Sequence, residues 1–145
     1  IQDEDVTVGD TFYYRFTAQN TGSTTADDVD LIVNGEVNDP NTGIPSDGEI
    51  TFDDASMYRS TDGVNWTPVT NTPSISNAGG GTVDFQPLDV DPDEWIRIVV
   101  EATADTDGSV FVEAQLDYDN ASAAGQTNPI GPVTEETSVK SAPTP

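Results

Sequence analysis

Almost all of the side chains that could do chemistry in this sequence are carboxylates. The 145 residues include 27 aspartates and glutamates but no histidine and no cysteine. Ser-His-Asp catalysis and thiol chemistry are therefore impossible within the chain, because each needs a residue type that it lacks. A glycosidase needs only two opposed carboxylates, but nothing in the sequence marks one pair among so many. We therefore predict that the protein is not an enzyme and has no catalytic residues.

Three acidic loops could hold calcium, because this ion prefers oxygen ligands in short, flexible loops. None of them has the full EF-hand spacing, and aspartate in a turn more often caps the bend than binds a metal. Calcium is thus the only cofactor that the sequence suggests, with no choice between the loops. The candidate ligands are Asp39, Asn41 and Asp47 in the first loop, Asp89, Asp91 and Asp93 in the second, and Asp105 and Asp107 in the third.

Residues 60–66 have the composition of a tight hairpin with Asp62 and Gly63 at the bend. They resemble the Asp-box of sialidase-like propellers, Ser-x-Asp-x-Gly-x-Thr-Trp, but are one residue shorter. A propeller needs repeated blades, so a single copy predicts only a structural turn.

Two triplets match the acceptor pattern for N-glycosylation, at Asn65 and Asn120. Asn65 falls at the tip of the predicted hairpin, and Asn120 follows a predicted strand. Both positions are expected to be accessible, which suits a glycoprotein.

Alternation of apolar and polar residues predicts β-strands, and no segment has a helical period. In residues 11–19, Phe12, Tyr14 and Phe16 alternate with polar types, as in a half-buried strand. Residues 20–22 are turn-forming and the alternation resumes at 29–33, which predicts a pair of consecutive antiparallel strands with one face on a core. The whole pattern predicts an all-β, antiparallel sandwich. The other predicted strands are 50–52, 57–60, 66–69, 82–86, 95–103, 109–118 and 133–140.

The stretch 6–33 carries a more specific pattern. Val8-Gly9-Asp10-Thr11, an inward Tyr14, the turn Asn20-Thr21-Gly22, and Ala26 with Val29 recur at fixed spacing. This stretch resembles the conserved Ig-like repeat of prokaryotic surface proteins known as domain-of-unknown-function family eleven. The resemblance implies a seven-strand Ig-like sandwich, often in tandem, on secreted or wall-attached proteins, and it implies no catalytic activity.

The resemblance also bears on the two ends of the chain. Repeats of this family begin with an alternating strand that contains a lysine, followed by a proline and then by Val-Gly-Asp. That strand is missing before Val8, whereas residues 137–145 look like it. We therefore expect residues 133–141 to be a donor strand that completes the sandwich of the next subunit or repeat, not their own.

This expectation defines three parts of the chain. Residues 1–118 are the sandwich domain, 119–132 are a linker, and 133–145 are the C-terminal donor strand and tail. The donor-strand residues are Val133, Glu135, Thr137 and Val139.

The net charge of −23, with only four cations, narrows the range of partners. Nucleic acid and anionic membrane surfaces would be repelled, and no apolar run is long enough to span a membrane. Such a charge keeps a secreted or salt-adapted protein soluble. We therefore predict an extracellular or cell-surface location, with no membrane insertion.

The predicted function is structural: a building block of an extracellular fibre or cell-surface stalk, which assembles head to tail with copies of itself by β-strand complementation. The alternative is an adhesin-type module that recognises glycan or protein. Tyr13 lies on the face of its strand opposite Tyr14, so it is expected to be exposed, as is Trp95, and exposed aromatic rings can stack on sugars.

Overall fold

A computed structural model describes the backbone of residues 4–118 and 130–140, and the side chains of residues 6–118, Thr137 and Lys140. Within these residues the regular secondary structure is β-strand, apart from one short 3-10 turn at Ala78–Gly80. No helix in this part of the protein is long and apolar enough to cross a membrane. The strands are β1 (Glu4–Thr7), β2 (Thr11–Gln19), β3 (Ala26–Val37), β4 (Glu49–Ser60), β5 (Thr67–Val69), β6 (Ser74–Ser76), β7 (Thr82–Asp84), β8 (Leu88–Val90), β9 (Trp95–Thr106), β10 (Gly108–Asp117) and β11 (Ile130–Lys140).

Two sheets face each other across one core. The smaller sheet has the order β2-β9-β4-β5, and the larger has the order β1-β11-β10-β3-β7-β6, with β8 also paired to β3. Every pairing is antiparallel except that of β1 with β11. The fold is an Ig-like antiparallel β-sandwich, as predicted.

The core is built by the alternation seen in the sequence. In β2, Phe12, Tyr14 and Phe16 are buried, and the residues between them are exposed. In β9, buried residues alternate with half-buried ones from Ile96 to Ala104. Burial of large apolar side chains is the main favourable term in folding, so this alternation fixes which face of each strand points inward.

The prediction that residues 11–19 and 29–33 pair with each other is wrong. β2 pairs with β9 in one sheet, and β3 pairs with β10 in the other. Asn20 shapes the crossing, because its side chain accepts a hydrogen bond from Gly22 N and donates to the carbonyls of Thr24 and Val90. The alternation of each strand was right, but alternation carries no information about the pairing partner.

One predicted break in the chain is also wrong. Residues 50–52 and 57–60 belong to the single strand β4, which keeps its pairing with β9 throughout. The register shifts between Phe52 and Asp54, where Asp53 and Asp54 are both exposed. Such a bulge interrupts the alternation without ending the strand.

The predicted donor strand pairs within its own chain. β11 lies between β10, to which it is antiparallel, and β1, to which it is parallel. The expectation that residues 133–141 complete the sandwich of the next subunit or repeat, and not their own, is therefore wrong for the single chain. The strand also begins at Ile130, inside the predicted linker. The register shift near Ile130 accommodates Pro132, which has no N–H to donate to a regular ladder.

Thr137 ties β11 to the opposite sheet. Its side chain is 1% exposed, and its hydroxyl lies 2.7 Å from the Tyr14 hydroxyl on β2, in a buried hydrogen bond. A buried hydroxyl costs free energy unless it is hydrogen-bonded. The pair therefore selects the register in which Thr137 faces Tyr14.

Replacement of Thr137 by Val should lower the free energy of unfolding by about 1–2 kcal/mol, because the buried Tyr14 hydroxyl loses this partner. Thr11→Val, on the exposed side of β2, should change it by less than about 0.5 kcal/mol. Urea unfolding of both variants measures the difference. Equal stabilities for the two variants would mean that the Tyr14 contact does not hold β11 in place.

Candidate functional site

The loop that contains Asp39 uses its own carboxylate to form the turn. Asp39 accepts hydrogen bonds from Asn41 N at 2.9 Å and from Thr42 Oγ1 at 2.8 Å. These bonds, that from Asn41 first, hold the pKa of Asp39 below its usual range. Asp47 is used elsewhere, since its Oδ1 accepts from Ser109 N at 2.6 Å. The first predicted calcium loop is thus a capped turn.

Aspartates of the other two acidic loops also accept hydrogen bonds, but from residues far along the chain. Asp89 accepts from Asp28 N, Asp91 accepts from Thr25 Oγ1, and Asp105 accepts from Thr51 Oγ1 at 2.5 Å. Among the described side chains, those of residues 6–118, Thr137 and Lys140, no three acidic groups come together as a metal site would require. A calcium site in one of the three loops, Asp93 and Asp107 included, stays a prediction.

The hairpin between β4 and β5 confirms the predicted turn and shows how it is held. Asp62 accepts hydrogen bonds from the backbone N of Val64 and Asn65 and from the side chains of Asn65 and Ser60. Together they hold the pKa of Asp62 far below its usual range, with the Asn65 backbone N–H as the largest cause. The hairpin is therefore a turn that the carboxylate of Asp62 holds in place.

The two sequons have different outcomes. Asn65 is exposed, and its Nδ2 donates to Asp62 Oδ2 at 2.7 Å, so it remains a candidate acceptor of glycan. Asn120 lies outside the described residues.

The outer side of the smaller sheet, here called the front face, carries one exposed and three half-buried aromatic rings. It is defined by Tyr13, Arg15, Tyr58, Trp66, Trp95 and Arg97. The strand register places Tyr13 beside Glu101, Arg15 beside Val99, and Arg97 between Thr17 and Tyr58. Tyr13 is 56% exposed, as predicted, whereas Trp95 is only half-buried.

Arg97 and the hairpin organise this face. The Arg97 guanidinium lies 4.0 Å from the centroid of the Trp66 ring, a cation–π contact, and its Nε donates to Thr17 Oγ1 at 3.0 Å. At the end of the face, a Cβ on Gly63 would lie 3.1 Å from the Trp95 ring, at a φ of +75°. Glycine at that position therefore lets the turn close over the Trp95 ring.

The cations of this acidic chain are unevenly placed. Arg59 is bound bidentately by Glu94, at 2.6 and 2.9 Å, and also donates to the carbonyl of Asp89. Within the described residues this is the one ion pair. Arg15 and Arg97 both lie on the front face, and Lys140, at the end of β11, is the fourth cation.

The outer side of the larger sheet, here called the back face, is anionic. It is defined by Asp30, Asp84, Glu113 and Asp117, which share the outward side of β3, β7 and β10. Asp30 and Asp117 are directly opposite in the register. Burial first, and then the charges of Asp84, Asp117 and Asp28, raise the pKa of Asp30. None of the four cations lies on these three strands.

A small cavity of about 120 Å³ lies at one end of the sandwich. Its lining is mainly apolar and includes Ala26, Val29, Ile96 and Tyr118. Ligand pockets commonly measure about 300–1,000 Å³, so this cavity is too small for a cofactor-sized molecule. The front face is therefore the better candidate for a functional surface.

Sequence reasoning identified Tyr13 and Trp95 but missed Arg15, Tyr58, Trp66 and Arg97 as members of one surface. Each of them alternates correctly within its own strand. These residues share one surface because β2 and β4 pair with β9 on either side. The alternation within a single strand does not reveal which strands are paired.

Comparisons with known proteins bear on the fold. No family model and no curated protein matches this chain. Among solved structures, it is similar to the collagen-binding domain of a Staphylococcus aureus adhesin, with a TM-score of 0.50 and 9% identity over 89% of this chain and 87% of that one. It is also similar to a family 123 glycoside hydrolase from Clostridium perfringens, with a TM-score of 0.53 and 14% identity, covering 99% of this chain. The chain spans only 23% of that hydrolase.

The pH dependence of stability should report the Asp62 turn. A carboxylate with a lowered pKa in the folded state stabilises the protein above its unfolded pKa of about 3.9, and the contribution falls as the pH drops below that value. The difference in urea midpoint between the wild type and Asp62→Asn should therefore be full above about pH 5 and shrink towards pH 3. Val64→Ala, at a residue that is 75% exposed in the same turn, should show no such trend. A pH-independent effect of Asp62→Asn would contradict this role.

Proposed function

We propose that the protein is a structural building block of an extracellular fibre or cell-surface stalk, in which neighbouring copies exchange strand β11. The observation that carries this proposal is the place of β11. The strand lies inside the larger sheet, between β10 and β1, although it is the last strand of the chain. The resemblance of residues 6–33 to the Ig-like repeat of prokaryotic surface proteins supports the same proposal.

Exchange would preserve the contacts that β11 makes in the single chain. In a second copy the same strand would pair with β10 and β1 and bring Thr137 to Tyr14, because the groove is identical. The closed and exchanged forms then differ only in the path of the connection, and the balance between them depends on the protein concentration. A tethered strand has an effective concentration on the order of millimolar, so exchange is favoured where copies are crowded at comparable concentrations.

The connection between β10 and β11 is long enough for either path. Leu116 and Ile130 are partners in the register, so closure within one chain must join two adjacent strand ends. Hairpin connections of 2–5 residues commonly do this, whereas residues 118–129 separate β10 from β11 here. Those 12 residues can span up to about 40–43 Å when extended. Passage of β11 into a neighbour is heterologous and therefore propagates head to tail.

We propose no catalytic activity for this fold. The carboxylates with raised pKa values are Asp30 and Glu36, the latter mainly through burial. Asp30 lies on an open sheet face, and Glu36 accepts a hydrogen bond from Ile50 N at 3.3 Å, so neither faces an opposed carboxylate across a cleft. An extracellular location is consistent with the charge of −23 and with the exposed sequon at Asn65.

A pair of cysteines can distinguish the two forms. Ser109 N and O bond to Asp47 and Gly48, on the side away from β11. Ser109 and Ser138 are therefore a non-hydrogen-bonded pair, with Cα atoms about 4.5 Å apart. This separation lies within the range that a disulfide spans. The natural chain has no cysteine, so Ser109→Cys with Ser138→Cys introduces a single possible link.

Refolding and oxidation at about 1 mM should give interchain ladders on a non-reducing gel, whereas the same steps at about 1 µM should give an intrachain link in a monomer, because exchange depends on concentration. The single variants Ser109→Cys and Ser138→Cys serve as controls for random coupling. Only intrachain links at both concentrations, with no filaments by electron microscopy, would rule the proposal out.

A second candidate function, an adhesin-type module for glycan or protein, is favoured by the front face. Its exposed Tyr13 and the Trp66 ring beneath Arg97 offer flat surfaces for stacking. In the sandwich, the front face and the β11 groove belong to different sheets, so both functions can coexist in one chain.

A glycan array probed with the oxidised monomer tests this second function. We expect bound glycans to be lost in Tyr13→Ala, because the most exposed ring of the face is removed, and to be retained in Ile44→Ala. Ile44 is a matched control, since it is also an exposed apolar residue, in the loop between β3 and β4. Binding that survives Tyr13→Ala would place glycan recognition elsewhere.

A further inference from the structure

We infer that the front face packs on the back face of a second copy, so that the sandwiches also associate laterally. The surface that packs on the front face is the back face of the second copy, with its carboxylates Asp30, Asp84, Glu113 and Asp117. This inference goes beyond strand exchange, because it uses the outer sides of the two sheets and leaves β11 in its own chain. Sheets commonly pack face to face about 10 Å apart.

The front face is the place where this chain can best accept an anionic partner. It carries Arg15 and Arg97, two of only four cations in the sequence. Arg97 is already held against Trp66 and Thr17. Arg15 is exposed, and within the described residues it forms no ion pair. An exposed guanidinium with no carboxylate partner, in a chain with 27 acids, is available for a charge from outside.

The front face carries both signs of charge. Glu101 pairs with Tyr13, and Asp53 and Asp54 are exposed at the bulge. Both arginines and both tryptophans lie towards the end of the sheet with the hairpin, which also contains Asp62. That end combines apolar ring surface with positive charge, which matches a surface of carboxylates rather than a second front face.

The back face supplies the complementary charge. Asp30 and Asp117 are directly opposite each other, and Asp84 pairs with Ile32, two residues along β3 from Asp30. Like charges that are directly opposite on a sheet are destabilising. Arginines from a neighbour would relieve this repulsion. Because the two surfaces lie on opposite sides of one sandwich, their pairing is heterologous and can repeat from copy to copy.

The salt concentration determines whether association through this contact can be measured. Two chains of −23 repel each other over long distances at low ionic strength. At 0.5 M NaCl the Debye length is about 4 Å. Long-range repulsion is then largely screened, whereas charges in direct contact at about 3 Å still interact, as do buried rings.

The test uses the full chain locked as a monomer by the Ser109→Cys and Ser138→Cys disulfide, so that strand exchange cannot contribute. Sedimentation equilibrium at 0.5 M NaCl should detect concentration-dependent association. Arg15→Glu should weaken it about fivefold. Lys140→Glu makes the same charge change beside Val139, which pairs with Gly108 at the end of β10 remote from Asp117, and should weaken it less than twofold.

Charge reversal on the other surface completes the experiment. Asp30→Arg alone should weaken association as much as Arg15→Glu, and an equal mixture of the two variants should restore it to within twofold of the parent. No association up to about 1 mM, or equal constants for Arg15→Glu and Lys140→Glu, would overturn the inference. Association that is lost in Tyr13→Ala but unchanged in Arg15→Glu would also overturn it and would assign the face to an uncharged partner.

Discussion

The structure depends on the position of β11, the last strand of the chain, which pairs with β1 on one side and with β10 on the other. Without β11, β1 would have no partner in the described sheet, and β10 would lose its pairing on one side. The Tyr14 hydroxyl would also lose its bond to Thr137 across the core. One segment therefore completes the larger sheet and fixes it against the smaller one. In the strand exchange that we propose, the same contacts would form with a β11 supplied by another copy.

Charge is the second constraint, and the molecule meets it by using carboxylates as structural groups. Asp39, Asp62 and Asp47 each accept backbone hydrogen bonds in turns. The same groups looked like metal ligands in the sequence, because calcium loops and capped turns draw on the same residue types. The difference is convergence: among the described side chains the carboxylates accept hydrogen bonds from separate backbone and hydroxyl groups, and no three of them come together as a metal site would require.

The sequence predicted the fold class, the inward faces of β2, β9 and β10, and the hairpin at Asp62, because alternation and turn chemistry are local properties. It did not predict that β2 and β3 lie in different sheets, or that β4 continues through a bulge, because both depend on pairing partners far along the chain. The front face was missed for the same reason. Tyr13 was found from its own strand, but Arg97 joins it only through the β2–β9 register.

The parallel pairing of β1 with β11 determines the direction in which the sandwich best resists a pulling force. Glu4 pairs with Thr137 and Thr7 pairs with Lys140, so the two strands run side by side in the same direction. Tension applied to the beginning of β1 and to the end of β11 pulls them past each other along their length. The hydrogen bonds between them are then sheared together and not opened one after another like a zip. A linkage of this geometry yields only when several bonds fail at once, so the strands that close the sandwich are also the ones best placed to bear a mechanical load.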